Sequence, residues 1–127
     1  MIRWTTPFCA ELVALGYRVV RFDNRDAGYS PHLDSHPAVD FGALVAALQA
    51  GQRPEAPYTL YDMAADAIGL MDALGIGRAH FVGRSMDGMI AQTMASEHKD
   101  RILSRALRSC RGRAIQHSRR LRRMPWR

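Results

Sequence analysis

The sequence predicts an α/β protein, on two observations. Over residues 1–100, amphipathic stretches at helical spacing alternate with short β-branched or apolar runs. The second such run hands over to a helix through a serine, Ser85, with Gly83 two residues before it. At 127 residues the chain suits one domain at most. Only two convincing strands are visible, too few for a doubly wound sheet to bury a core. The expected fold is therefore a partial one, a fragment of a doubly wound, mostly parallel sheet.

The elements follow in order. Pro7 suits the first turn of a helix whose apolar face is Phe8, Leu12 and Leu15, ended by Gly16. Tyr17–Phe22 is short and β-branched and reads as a strand, closing in the turn-rich run Asp23–Gly28. Most prolines fall between Tyr29 and Pro57, which marks a long irregular loop holding one short helix, Phe41 to Gln49. Leu60 to Leu74 is the clearest helix. Thr59 is placed to cap it, with Asp62 as the capping-box acid, and Leu60, Met63, Ala67, Leu70, Met71 and Leu74 share one face. Ala79–Gly83 reads as a buried strand. Met86, Met89, Ile90 and Met94 define the inner face of a last helix reaching about His98, with methionine as core filler.

Charge divides the chain sharply. Residues 1–100 hold all 12 acids and 8 of the 18 bases, a net −4. Residues 101–127 hold the other 10 bases, all arginine, a net +10. The expected organisation is a domain over 1–103 and an arginine-rich tail over 104–127 outside the fold. Leu103, Leu107 and Ala114 hint at a helix within the tail, and Trp126 is available to stack on a base. Two origins fit the tail: a segment that contacts nucleic acid or another polyanion, or a G+C-rich gene read in a shifted frame. No stretch approaches the ~20 apolar residues of a membrane span, and the first residues lack a secretory apolar core, so a cytoplasmic protein is expected. Cys9 and Cys110 have no second Cys or His at metal-ligand spacing, so reduced thiols are expected.

The chemistry is concentrated at Ser85. A serine on a tight turn at the carboxyl end of a strand lies over the first turn of the next helix. The helix dipole and unpaired amides there favour the oxyanion formed when a hydroxyl attacks an ester carbonyl, and the Met86 N–H is one such donor. A helix N-cap serine and an anion-binding turn are the plainer readings. A phosphate loop is not expected, because Gly-Lys-Ser/Thr is absent.

The run from Ile76 to Arg101 resembles the corresponding region of α/β-hydrolases, particularly aclacinomycin methylesterase-like esterases. Trp4, Phe8, Leu12, Gly16–Val20, Arg21–Ser30 and Tyr58–Asp66 resemble the same family in the same order, so the resemblance covers about residues 4–103. It implies a serine hydrolase for small-molecule esters that needs no metal or organic cofactor, with Ser85 as nucleophile and the Met86 N–H in the oxyanion hole. Asp23, Arg25, Asp26 and Gly28 match the family's loop after its fourth strand, and local turn bonding explains them equally.

Three departures limit the resemblance. Asp87 stands where the family has a small residue; at ~6 Å and an effective dielectric of ~20 it would repel an oxyanion by about 3 kcal/mol, roughly a hundredfold in rate. The family's first three strands precede Trp4, and its acid and histidine lie beyond residue 127, so a truncated and inactive piece is expected. None of His32, His36, His80, His98 and His117 matches the family's catalytic position, although His32 or His36 lies in a loop that could swing toward Ser85.

Overall fold

The computed structural model describes residues 4–35, 37, 40–52, 56–108 and 114–117. The chain divides into two units, Met1–Glu55 and Ala56–Arg127.

The N-terminal unit has helices α1 (Thr6–Ala14) and α2 (Phe41–Gln49), both as expected. Pro7 lies in the first turn of α1, and Trp4 stacks against Phe8 with ring centroids 5.4 Å apart. The Asp40 carboxylate caps α2 by accepting the Gly42 and Ala43 amides at 2.8 and 3.1 Å. Neither helix buries a residue, and Phe41 on α2 is 73% exposed. Tyr17–Phe22 is not a strand, which corrects the sequence expectation. Its β-branched composition favours extended backbone, but a strand also requires a ladder partner, and none is present among the described residues. Arg21 donates instead to the Trp4 carbonyl at 2.6 Å.

The C-terminal unit runs α3 (Leu60–Ala73), β1 (Ala79–Arg84), α4 (Met86–Glu97), β2 (Ile102–Arg108) and β3 (Ala114–His117). The capping box forms at the start of α3: Thr59 N–H donates to the Asp62 carboxylate at 2.7 Å, and Asp62 N–H to Thr59 Oγ at 3.4 Å. The core is the seam between α3 and α4, made by Met63, Ala64, Ala67, Met71, Ile90, Ala91 and Met94. Alanines on both helices let the backbones approach, and methionines fill what remains. Met86 and Met89 are 44% and 47% exposed, so the expected methionine face of α4 is displaced: Gly88, Ile90, Ala91 and Met94 point inward.

The sheet has the order β1–β2–β3, with β1 and β2 parallel and β2 and β3 antiparallel. Helix α4 packs on both β1 and β2. Burial alternates along β1: Ala79, Phe81 and Gly83 are covered, while His80, Val82 and Arg84 are exposed. This strand, expected to be buried, thus has one covered face. Ala79 pairs with Ile102 but His80 pairs with Ser104, so β2 carries one extra residue at Leu103. Strand β2 also crosses the boundary expected at 103/104. Residues 102–108 and 114–117 are strands where a helix over Leu103–Ala114 was expected, because β2 finds a ladder partner in β1. The rest of the arginine-rich segment, with Cys110 and Trp126, lies outside the described residues, as does His36.

Arg101 ties α3 to the sheet. Its guanidinium reaches the Asp72 carboxylate at 2.6 Å, the Gly77 carbonyl at 2.7 Å and the Ile76 carbonyl at 3.1 Å, while its own carbonyl accepts from Ala79 N–H at 3.0 Å. Its two carbonyl contacts lie in the connection between α3 and β1, a turn that would otherwise be held by water. Replacing Arg101 with alanine is expected to destabilise this unit by about 1–2 kcal/mol, read as a lower urea midpoint at unchanged m-value. Arg101→Lys, which keeps the charge but loses the planar fork, should recover less than half of that loss.

Candidate active site

Ser85 sits between β1 and α4 with φ 57° and ψ −121°, a backbone conformation that L-residues rarely adopt. The strand ends at Arg84 and the helix begins at Met86, so a single residue makes the reversal. The Ser85 carbonyl accepts the first helical bonds, from Gly88 N–H at 2.9 Å and Met89 N–H at 3.3 Å. Its side chain makes no capping bond. An N-cap serine ordinarily has extended backbone and accepts a first-turn amide on its side-chain oxygen, as Asp40 does; Ser85 does neither. The plainer N-cap reading therefore fails on geometry. The first-turn amides of α4, beginning with Met86, lie beside Ser85 at the positive end of the helix dipole.

Gly83 makes this turn possible. A Cβ built on it would stand 2.5 Å from the Asp87 carbonyl oxygen and 2.7 Å from the Gly88 nitrogen. The backbone of the first turn of α4 thus rests directly on the last residues of β1. The crowding anticipated at the Asp87 side chain falls on residue 83 instead: the Asp87 backbone makes the close contact, and its side chain is half-buried. An acid in the first turn also complements the helix dipole.

The histidines fall elsewhere. His80 lies at the opposite end of β1 from Ser85, with Nδ1 2.6 Å from Ser104 Oγ. His98 is the C-cap of α4, twelve helical residues beyond Ser85, about 18 Å along the axis. His32 Nε2 bonds the Gly28 carbonyl at 3.2 Å inside its own loop. The side chains of His36 and His117 lie outside the described structure. Sequence reasoning missed the His80–Ser104 contact, whose signal is the β1–β2 register rather than any sequence spacing.

The turn-rich loop of the N-terminal unit is bonded within itself. Asp23 accepts Tyr29 N–H at 3.3 Å, and Asp26, at φ 59°, accepts Leu33 N–H at 2.6 Å. Gly28 (φ 59°) is required here, since a side chain would run into the Asp23 carboxylate. These contacts supply the local explanation for Asp23, Asp26 and Gly28. Among the described residues no group of three His, Cys, Asp or Glu is placed to hold a metal, and no helix is long and apolar enough to cross a membrane.

A glycine packed under the first turn of a helix, and a positive-φ serine between parallel strand and helix, define the class. The model of the α/β hydrolase fold matches residues 4–119, and the chain belongs to that family. Within the family it is similar to rhodomycin D methylesterase DnrP of Streptomyces peucetius, at 33% identity over 101 residues, 80% of this chain and 28% of that enzyme. RutD of Variovorax paradoxus, whose name carries carbamate hydrolysis as a provisional function, is 30% identical over 112 residues, 88% of this chain and 35% of its own. A solved structure described as Est816, an N-acyl homoserine lactone degrading enzyme, overlaps 46% of this chain and 23% of its own at 34% identity and a TM-score of 0.41. The chain thus spans about a third or less of the length of these relatives.

Two substitutions test the turn. Gly83→Ala is expected to lower stability by about 2–4 kcal/mol, because the backbone of α4 cannot yield as a side chain would. Ser85→Gly is expected to raise it by about 1 kcal/mol by relieving the backbone strain. Chemical denaturation of both variants measures the pair, and equal small losses in both would contradict the described turn.

Proposed function

We propose that Ser85 is the acyl-accepting nucleophile of an esterase-type hydrolase, and that the chain acting alone is acylated without appreciable turnover. One observation carries this reading: the strained, positive-φ backbone of Ser85 at the strand-to-helix reversal, with the amides of α4 beside it. Strain persists where surrounding packing enforces it, and the Gly83–Asp87 contact supplies that enforcement. In the proposed step Ser85 Oγ attacks the acyl carbon, the bond to the leaving alcohol breaks, and the Met86 N–H donates to the developing oxyanion. The names of the relatives support an acyl carbon of an ester or a carbamate, and both are reached by the same attack.

Slow turnover is the behaviour proposed from the positions of His80 and His98. A serine hydroxyl needs a base within about 3 Å, and His80 and His98 stand at the far ends of β1 and α4. Asp87 adds a carboxylate beside the proposed oxyanion. The distance of these histidines and the Asp87 charge reduce the acid–base and oxyanion assistance that each supply a hundredfold or more.

The test uses a p-nitrophenyl ester with the intact chain. Trypsin releases Ser85 in a peptide ending at Lys99. The expected result is slow release of no more than one equivalent of nitrophenolate from this site, with the acyl group mapped to Ser85 by fragmentation and absent in Ser85→Ala. Asp87→Gly should speed that acylation by roughly tenfold to a hundredfold without producing turnover. An unmodified Ser85 after exhaustive treatment would defeat the assignment, and sustained turnover by Asp87→Gly would show that a base is within reach.

A further inference from the structure

We propose that Ser104, with His80 as its base, is a second acyl-accepting site, independent of Ser85. The parallel ladder sets His80 directly opposite Ser104, so both side chains leave the same face of the sheet. Imidazole Nδ1 and hydroxyl Oγ are 2.6 Å apart, within the range of a serine–histidine pair ready for proton transfer. This is the face that α4 does not cover: His80 and Val82 on β1 are exposed, as is Ala106 on β2. Ser104 itself is half-buried beside the exposed His80, so a small ester reaches the pair from the His80 side. The pair lies at the beginning of β1 and Ser85 follows its end, about 16 Å away along the strand. The two serines thus act separately.

The step balances simply. With the imidazole in the Nε2–H form, Nδ1 takes the Oγ proton as Oγ bonds to the acyl carbon. The carbon–oxygen bond to the leaving group breaks, and its electron pair departs on the phenolate; the imidazolium then returns the proton to water. General-base assistance of this kind is worth about a hundredfold or more. The pair lies on a sheet face and not at a helix N-terminus, so the site suits activated aryl esters and similar acylating reagents, and it takes up one acyl group without efficient turnover.

The experiment uses the full chain and p-nitrophenyl acetate, read by peptide mass. Trypsin places Ser104 in Ile102–Arg105, a different peptide from that of Ser85, so each site is scored alone. The expected result is an acetyl group on Ser104 in the unmodified chain and equally in Ser85→Ala. The rate should fall about a hundredfold in His80→Gln, and free imidazole should restore it in His80→Ala. Restoration by imidazole separates a base from a merely structural histidine. An unacetylated Ser104, or a rate unchanged in His80→Gln, would overturn the proposal and leave the Ser85 reading untouched.

Discussion

The contact between Gly83 and the backbone of Asp87 is the constraint on which the C-terminal unit rests. It brings α4 down onto β1 to a distance that no side chain at 83 would permit. With α4 in that position, Ile90, Ala91 and Met94 meet Met63, Ala67 and Met71 of α3, and the chain must reverse within one residue. The unusual backbone of Ser85 is therefore a product of packing rather than of local preference, since serine by itself favours extended or helical conformations. Core and candidate site share one cause.

Much of this was legible in the residues. The helices α1, α3 and α4 announce themselves by a proline in the first turn, a Thr59–Asp62 box and apolar spacing, all of them local signals. The Ser85 turn was legible for the same reason, because Gly-x-Ser between an apolar run and a helix is a local pattern. What failed was whatever depended on a partner far along the chain. Tyr17–Phe22 has strand composition and no ladder among the described residues, whereas the Arg-rich run from Ile102 has poor strand composition and a ladder. Strand identity is decided by pairing, and pairing is not written in a six-residue window. The His80–Ser104 contact was hidden in the same way.

The two units also differ in what holds them. Between Ala56 and Arg108 there is a buried seam, a helix-covered sheet and the Arg101 clamp across three segments. From Trp4 to Gln52 the described bonds are mostly caps, turns and side-chain-to-backbone bonds, with Arg21 reaching back to the Trp4 carbonyl. Local bonding of that kind fixes shape over short distances but contributes little burial, and neither α1 nor α2 buries a residue.

The extra residue at Leu103 has a wider effect than its size suggests. Because side chains alternate along a strand, one added residue inverts the phase of everything that follows. Without it, His80 would stand opposite Leu103, and Arg105 would share the open face with Val82. With it, Arg105 shares a face with Phe81, where its Nε is buried without a hydrogen-bond acceptor. A single insertion thus decides which side chains share the covered face of Phe81, and places an arginine there.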